Sequence, residues 1–474
     1  MHIIFLNPQG NFDPADSYLA EHPDFGGQLV YVKEVAQAMA GAGHRVDIVT
    51  RRIQDPAWPE FAAPVDSYPG FGDNPRILRF PCGGPAFLEK ERLWPHMGEF
   101  VDNMLAFYGD GLPDFATAHY ADGGYCAVLA QHRTGIGFTF TGHSLGAQKL
   151  DKLGVSSASR EEMEARFRFS RRIAAERLSM ERAARIVTST GQERQEQYAH
   201  ALYAGAVDPG DEARFAVIPP GVNGRVFSTE AGDSDGAVHD ALDAAKGIDT
   251  GPAIVVSSRL DEKKNVIGVV RAYAASPALQ ARAGLVLCVR GIDDPWAGTG
   301  TLSGPEQEVL GPILTTIADA GIRDRVRFLN ITSQAELAAT YRYFAGHGSV
   351  FALTSFYEPF GLAPIEAAAC GLAPVATRNG GPVEIFADGS GVLVDPFDVD
   401  DIARGLLQAL EDHAGLSARA IRLVREVYTW QRTADSYLAV ITAAMEKAPV
   451  RWDAPPEPDD SARIRDYLET GRDR

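Results

Sequence analysis

The feature that most constrains this chain is a recurring pattern of short apolar runs separated by helix-length amphipathic stretches. Such alternation is typical of parallel strands joined by crossover helices, because a parallel connection needs about a dozen residues or more. The predicted strands of the first half are Ile3–Asn7, Arg45–Thr50, Ile77–Pro81, Phe115–His119, Phe138–Thr141, Ile186–Thr190 and Ala216–Pro219. Those of the second half are Ala253–Ser258, Leu285–Arg290, Val326–Leu329, Ser349–Leu353, Ala373–Thr377 and Gly391–Val394. The sequence therefore predicts an α/β protein with two Rossmann-like domains.

Proline and glycine mark the predicted domain boundary at Pro219-Pro220-Gly221, directly after a strand. We assign residues 1–220 to a first domain and 221–429 to a second. Residues 430–474 form a C-terminal helix and tail that either pack back on the first domain or fray. Because ligands of such sheets bind outside the carboxyl ends of the strands, we expect the site in a central cleft that the two domains face. Within the first domain, Glu161–Ala184 is predicted to be one helix.

Composition narrows the possible partners. The chain has 474 residues, and 45 Lys and Arg against 63 Asp and Glu give a formal charge of −18. That excess of acid argues against nucleic acid and anionic membranes, so any bound anion needs a local basic pocket. The 4 cysteines form no CxxC pair, which indicates neither a zinc site nor a disulfide framework. The apolar stretch at the N-terminus is too short for a signal peptide, so we expect a cytoplasmic protein.

Two segments could bind an anion. Gly26 and Gly27 precede the predicted helix Leu29–Gly41, where backbone N–H groups and the helix dipole favour a phosphate. A tight turn that only starts the helix is the alternative. Arg259 and Lys264 follow the strand Ala253–Ser258 and could anchor a diphosphate without a metal. A solvated surface cluster is the alternative there.

The most informative stretch runs from Thr354 to Glu366, after the strand Ser349–Leu353. Glu358 lies in its loop, and Glu366 lies one turn into the predicted helix Leu362–Ala369. Carboxylates accept hydrogen bonds from sugar hydroxyls, and the N–H groups of Leu362 and Ala363 would add an anion site. An ordinary strand–loop–helix connection with two solvated acids is the alternative reading.

These residues resemble a known family. Glu358 and Glu366, with seven residues between them, match the E-x7-E signature of retaining glycosyltransferases of the GT-B type. Further strings extend the resemblance to bacterial sucrose-phosphate synthases over most of the chain, from Phe5 to Trp430. These strings are Gly26-Gly27-Gln28, Thr141-Gly142-His143-Ser144, Arg259…Lys264 and Arg378-Asn379-Gly380-Gly381-Pro382.

The resemblance implies transfer of glucose from UDP-glucose to fructose 6-phosphate, with retention at the anomeric carbon. No cofactor and no essential metal are implied. By the same resemblance, the first domain binds the acceptor and the second binds the nucleotide sugar. Arg259 and Lys264 hold the diphosphate, and Gly26 and Gly27 complete its cradle. Glu366 holds the ribose, Glu358 contacts glucose hydroxyls, and His143 touches the transferred sugar.

The acceptor phosphate requires a second basic pocket in the first domain. Lys90 and Lys149 match the family's acceptor-phosphate positions, and Arg171 and Arg172 are further candidates. Hydroxyl partners of the acceptor are expected from Gln28, Tyr120 and Ser144. We expect small-molecule substrates only, with neither nucleic acid nor a membrane as a partner.

Three alternatives stay open at this stage. Two are other transferases, sucrose synthase, which uses free fructose, and mannosylfructose-phosphate synthase, which uses GDP-mannose. The third belongs to another class, because Gly142-His143-Ser144-Leu145-Gly146 spells the G-x-S-x-G nucleophile elbow of α/β-hydrolases after a strand. Ser144 would then need an acid and a histidine downstream, for which Asp395 and His413 are available.

Overall fold

The computed structural model describes residues 1–17, 27–244, 251–298, 300–447 and 450–470. The chain divides into two compact units. The first comprises Met1–Pro220 and Trp430–Arg474, and the second comprises Gly221–Thr429. No helix within the described ranges is both long and apolar enough to cross a bilayer.

Each unit is built around one sheet. In the described part of the chain the strands of the first unit are β1 His2–Leu6, β2 Arg45–Arg51, β3 Val65–Ser67, β4 Arg76–Phe80, β5 Phe115–His119, β6 Gly137–Thr141, β7 Arg185–Thr188 and β8 Phe215–Val217. Those of the second unit are β9 Ala253–Ser257, β10 Gly284–Cys288, β11 Val326–Leu329, β12 Val350–Leu353, β13 Ala373–Thr377 and β14 Val392–Val394.

Helices connect these strands. In chain order the described α-helices are α1 Gly27–Gly41, α2 Lys90–Leu93, α3 Met97–Tyr108, α4 Tyr120–Thr134, α5 Gly146–Lys152, α6 Arg160–Phe167, α7 Phe169–Arg182, α8 Gly191–Gln197, α9 Asp235–Ala244, α10 Val266–Ala275, α11 Pro277–Arg282, α12 Gly304–Asp319, α13 Gln334–Gly346, α14 Leu362–Ala369, α15 Pro382–Ile385, α16 Val399–Glu411, α17 His413–Glu426, α18 Trp430–Met445 and α19 Ser461–Thr470. Helices α9 to α17 belong to the second unit, and the others belong to the first.

Both sheets reverse their strand order at an internal pair. The first sheet has the order β3-β4-β2-β1-β5-β6-β7-β8 and is parallel except where β3 pairs with β4. The second has the order β11-β10-β9-β12-β13-β14 and is parallel throughout its described pairs. Ligands of such sheets bind outside the carboxyl ends at the point of reversal, here beside β1 and β5 and beside β9 and β12. The predicted pair of α/β domains is confirmed.

Burial on both faces explains why the strands read as apolar runs. Ile3, Ile4, Phe5 and Leu6 of β1 are each at most 1% exposed, and all five residues of β5 are buried. Helix α18 also joins this core, because it packs against α1. It buries Ala434, Tyr437 and Ile441, which the spacing of an α-helix places on one face.

The elements differ from the prediction in two places. Strand β3 was not predicted, because it has only three residues and Val65 is 47% exposed. The predicted single helix Glu161–Ala184 is wrong, because Arg168 adopts a left-handed φ of 51° and separates α6 from α7. The Glu164 carboxylate accepts a hydrogen bond of 2.9 Å from the Ser170 N–H, which stabilises the start of α7.

Candidate active site

The loop after β9 carries the two predicted cations of the second unit. Asn265, which follows Lys264, adopts a left-handed φ of 50°. Its amide donates to the carbonyls of Thr354, at 3.1 Å, and Pro396, at 2.8 Å. This asparagine therefore ties the Lys264 loop to the segment that leaves the neighbouring strand β12.

Lys264 and Glu358 form an ion pair between these adjacent strand ends. The Lys264 Nζ lies 2.7 Å from Glu358 Oε2, and the Ser355 hydroxyl donates to the same oxygen at 3.2 Å. The two side chains are 27% and 13% exposed, so both keep a face open to a ligand. The family resemblance implied that Lys264 holds the diphosphate and that Glu358 contacts glucose hydroxyls, and the structure brings these two side chains into direct contact.

Two glycines fix the backbone of Glu358. The Glu358 N–H donates to the Asn379 carbonyl at 3.0 Å, and the Gly381 N–H donates to the Glu358 carbonyl at 2.9 Å. Gly380 has a φ of 106°, and a Cβ there would lie 2.0 Å from the Glu358 carbonyl oxygen. The Gly380-Gly381 string therefore holds the acidic loop in place through contacts that no residue with a side chain could make.

Glu366 lies on α14 with its carboxylate unpaired by any hydrogen bond among the described residues. Burial raises the pKa of this carboxyl from 4.5 to about 7. A hydroxyl that donates a hydrogen bond to such a desolvated carboxylate stabilises its ionised form. Leu362 and Ala363 form the first turn of α14, and Leu362 is 43% exposed, so this helix start faces solvent.

Arg259 is exposed and lines a cavity of about 1020 Å³ in the second unit. The cavity is also lined by Glu306, Phe356 and Phe397. Phe397 is 70% exposed and stacks on Phe356 with ring centroids 4.9 Å apart. No hydrogen bond or ion pair within the described ranges occupies the Arg259 guanidinium, which leaves its donors available to a ligand.

In the first unit, His143 lies in the loop after β6 and contacts His119, the last residue of β5. His119 Nδ1 and His143 Nε2 are 2.9 Å apart. Burial lowers the pKa of His143 to about 4, so its imidazole is neutral at neutral pH. His119 was not singled out from the sequence. Its position at the end of a buried strand was the available signal.

Three of the predicted acceptor residues line one small cavity. Lys90, Tyr120 and Arg172 surround about 20 Å³ of space together with Asp122 and Phe167. The Arg172 guanidinium lies over the Tyr120 ring, 4.5 Å from its centroid. The cavity therefore combines two cations with two carboxylates, Glu91 and Asp122, and an aromatic wall.

Lys149 and Arg171, the other two predicted cations, do not line this cavity themselves. The Lys149 Nζ lies over the ring of Phe167 at 4.2 Å, and Phe167 itself lines the cavity. The Arg171 guanidinium instead lies 3.6 Å from Glu457 of the C-terminal tail. The structure thus brings Lys149 to the cavity wall and turns Arg171 toward the tail.

A buried network holds Arg172. Its guanidinium donates to the Ser144 carbonyl at 2.5 Å and to Glu176 at 3.0 Å. Glu176 is fully buried and also accepts from the Gly146 N–H and the Tyr203 hydroxyl. Burial raises the pKa of Glu176, and the nearby Arg172 opposes that rise. The network fixes the loop that contains His143 and Ser144 against α7.

Asp122 is an acid of this cavity that the sequence analysis did not single out. It is 4% exposed, and its Oδ2 has no hydrogen-bond partner among the described residues. Burial raises the pKa of its carboxyl to about 7. Since Asp122 lies two residues after Tyr120 in the first turn of α4, the predicted role of Tyr120 could have drawn attention to it.

The glycine-rich loop is described only in part. Gly26 lies outside the described residues, whereas Gly27 begins α1. An added Cβ at Gly27 would meet no atom of the described residues within 4 Å. The side-chain nitrogen of the neighbouring Gln28 is buried and has no hydrogen-bond partner in the described structure.

Comparisons with known proteins match each unit to a glycosyltransferase family model. Residues 239–426 match the family model Glycosyl transferases group 1, and residues 26–221 match the model Glycosyl transferase 4-like domain. A probable sucrose-phosphate synthase of Thermosipho melanesiensis is 44% identical over 443 residues, which cover 93% of this chain and 96% of that relative. The sucrose-phosphate synthase of Zea mays is 31% identical, and its match covers 100% of this chain and 50% of the maize protein.

Solved structures are similar at the level of the fold. A sucrose-phosphate synthase from Thermosynechococcus elongatus has a TM-score of 0.66 and 22% identity, with 94% of this chain and 100% of that chain covered. Anabaena HepE in complex with UDP-glucose has a TM-score of 0.56 and 17% identity, with 94% and 100% covered. The predicted fold of two Rossmann-like units, as in these glycosyltransferases, is confirmed.

Proposed function

Because this chain belongs to the sucrose-phosphate synthase family of glycosyltransferases, we propose that it transfers glucose from UDP-glucose to fructose 6-phosphate. The products are sucrose 6-phosphate and UDP. The observation that carries the proposal is the 44% identity to a probable sucrose-phosphate synthase over 93% of this chain. The side chains at the strand ends of both units support it, because they supply the chemistry that each substrate needs.

The second unit binds the nucleotide sugar in this proposal. Lys264 and Arg259 bind the diphosphate, and Glu358 keeps the Lys264 ammonium in place from 2.7 Å while it accepts from glucose hydroxyls. The N–H groups of Leu362 and Ala363 add donors for the diphosphate. The unpaired carboxylate of Glu366 accepts from the ribose hydroxyls.

The first unit binds the acceptor. Lys90, Lys149 and Arg172 attract the phosphate of fructose 6-phosphate, and their common proximity to Phe167 and its cavity supports one shared task. Tyr120 and Ser144 supply hydroxyl partners, and the unpaired nitrogen of Gln28 is a further donor. The phosphate role predicted for Arg171 stays a prediction, since its neighbour is Glu457. The role predicted for Gly26 and Gly27 also stays a prediction.

In this proposal, catalysis depends on stabilising the negative charge that develops on the diphosphate during the reaction. The bond between the anomeric carbon and the diphosphate oxygen breaks on the face where the acceptor oxygen attaches. The departing phosphate oxygen takes the proton of the acceptor hydroxyl. Negative charge grows on the diphosphate as this bond breaks, so Lys264 and Arg259 stabilise the transition state more than the bound substrate. His143 is neutral and contacts the hydroxyls of the transferred sugar.

We propose that no metal ion takes part, because two cationic side chains are available to the diphosphate. Activity should therefore survive exhaustive chelation with EDTA, followed by dialysis into metal-free buffer. Loss of activity that is restored by added Mg²⁺ or Mn²⁺ would contradict this part of the proposal.

The hydrolase alternative is wrong, because the chain is a glycosyltransferase. The local geometry agrees with this exclusion. The strained left-handed residue of the turn is His143, with a φ of 54°, whereas a nucleophile elbow strains the serine. The Ser144 hydroxyl lies 3.4 Å from Arg172, and Asp395 and His413 belong to the second unit.

A matrix of donors and acceptors tests the proposal. UDP-glucose and GDP-mannose are each incubated with fructose and with fructose 6-phosphate, and products are identified by NMR, including the anomeric configuration. We expect turnover chiefly with UDP-glucose and fructose 6-phosphate, with the α-anomer retained. Preference for free fructose would instead favour a sucrose synthase, and preference for GDP-mannose a mannosylfructose-phosphate synthase.

A further inference from the structure

We propose that His119 is a positioning residue that fixes both the ring orientation and the tautomer of His143. The kinetic part of this inference rests on the proposed function, in which His143 contacts the transferred sugar. The structural part rests only on the first unit and can be tested without any substrate.

The strand register brings the two histidines together. β5 and β6 are parallel neighbours, and His119 pairs with Thr141, two residues before His143. The two rings lie 5.2 Å apart between centroids with an interplanar angle of 26°, and the His119 Nδ1 to His143 Nε2 distance is 2.9 Å. On its other side, His119 Nε2 lies 3.1 Å from the Thr117 hydroxyl. Thr117, His119 and His143 thus form one hydrogen-bonded chain.

Aromatic rings pack around the hydrogen-bonded chain of Thr117, His119 and His143 and restrict its movement. Phe5 stacks on His119 with centroids 5.6 Å apart, and the edge of Tyr31 meets His143 at 5.0 Å. The Tyr31 hydroxyl donates to Tyr437 of α18 at 3.1 Å, and the Tyr437 hydroxyl lies 2.7 Å from Thr141 Oγ1. Neither imidazole can therefore rotate without disturbing packed neighbours.

Both imidazoles are neutral at neutral pH. Burial, with a smaller effect from His143, lowers the pKa of His119 well below its ordinary value, and burial lowers the pKa of His143 as well. A neutral imidazole carries one N–H, so one ring must donate and the other must accept across their hydrogen bond. The tautomer of His143 is consequently coupled to that of His119.

This coupling determines whether His143 Nδ1 carries a proton where a sugar hydroxyl would bind. His143 Nδ1 makes no hydrogen bond within the described ranges, so it is the nitrogen left for a sugar hydroxyl. Whether Nδ1 carries the proton depends on whether Nε2 accepts from His119 or donates to it. His119 thereby decides whether the sugar hydroxyl meets a donor or an acceptor, without touching the sugar.

Three variants at one position give the kinetic test. In His119→Asn the amide occupies the place of Nδ1 and can keep the hydrogen bond to His143. In His119→Gln the amide reaches the place of Nε2 instead, and His119→Leu has no polar group. We expect His119→Asn to keep kcat within about threefold, and the other two to lose about tenfold, the equivalent of one hydrogen bond of about 1.4 kcal/mol. Equal kcat losses in the Asn and Gln variants would overturn the proposal.

The NMR test needs no activity. The ring nitrogens of His143, assigned by their loss in His143→Gln, should show two well-separated ¹⁵N shifts in the parent protein, as a single tautomer requires. In His119→Leu these shifts should converge through tautomer exchange. Unchanged His143 shifts in that variant would overturn the proposal, whatever the substrate of the enzyme proves to be.

Thr117→Val tests the same coupling even if the His119 variants fail to fold. Valine matches threonine in shape but removes the hydroxyl at the far end of the chain. We expect the ¹⁵N shifts of His143 to move in this variant although Thr117 does not touch His143. Shifts identical to those of the parent protein would show that the tautomers are not coupled and would overturn the inference.

Discussion

Replacing Glu366 by glutamine tests the donor site most sharply, because the carboxyl of Glu366 is half-buried with no hydrogen-bond partner among the described residues. Burial raises its pKa from 4.5 to about 7. The folded protein therefore holds a proton that the unfolded chain releases between these two pH values, so stability falls as pH rises through this window and is constant above it. At 1.36 kcal/mol per pKa unit the upper bound of this loss is about 3 kcal/mol.

Glu366→Gln lacks the titrating group and has almost the same shape. We therefore expect the variant to gain stability relative to the parent protein as pH rises from about 4.5 to about 7, by at most about 3 kcal/mol. Thermal unfolding of both proteins across this pH range measures the difference. Glu230→Gln is the matched control, since Glu230 is exposed on the same unit and its replacement should leave the pH profile unchanged.

Binding of UDP-glucose should favour the ionised form of Glu366, whereas folding favours the protonated form. Ribose hydroxyls that donate to Glu366 stabilise its ionised form, so the KM for UDP-glucose should fall as pH rises toward 7. In Glu366→Gln the KM should be higher by the equivalent of roughly 1.5–3 kcal/mol, as expected for hydrogen bonds to a charged group, and should no longer depend on pH in this range. If the pH profiles of stability and of the KM for UDP-glucose were the same in Glu366→Gln as in the parent protein, the reasoning would be refuted.

Three further substitutions test other parts of the site. Lys264→Ala should lower kcat by about a hundredfold or more while the exposed neighbour Lys263→Ala does not, because the charge acts as the diphosphate leaves; similar kcat values in steady-state assays would contradict that role. Lys149→Ala should raise the KM for fructose 6-phosphate and leave any turnover of free fructose nearly intact, with Lys152→Ala as the exposed control; equal losses on both acceptors would reject a phosphate contact. Gly380→Ala would place a Cβ 2.0 Å from the Glu358 carbonyl at a φ of 106°, so we expect a lower unfolding temperature and reduced activity; a variant as stable and active as the parent would show that this loop can shift without harm.

Local patterns predicted much of the fold. Buried parallel strands are apolar along their whole length, which is why β1 and β5 could be recognised from their residues alone. The three-residue β3 and the break at Arg168 could not be recognised in this way. A short exposed edge strand carries little hydrophobic signal, and the left-handed backbone of Arg168 is not written in an arginine side chain.

The residues of the candidate site likewise comprise some that the sequence could predict and some that it could not. Arg259, Lys264 and Glu358 could be named from the sequence because each lies in the loop after a predicted strand. Glu366 could be named because it lies one turn into the helix that follows the second of these loops. His119 could not, because its importance comes from a contact with His143, which lies 24 residues further along the chain.

The sequence by itself determined the two α/β units and the residue types at their strand ends, because periodicity and local spacing are properties of consecutive residues. Only the tertiary structure decided which of those side chains meet. It paired Lys264 with Glu358, turned Arg171 to the tail, and left the Glu366 carboxyl half-buried without a partner among the described residues. Contacts and burial depend on how distant segments pack, and packing is what sets the pKa and the partner of each group.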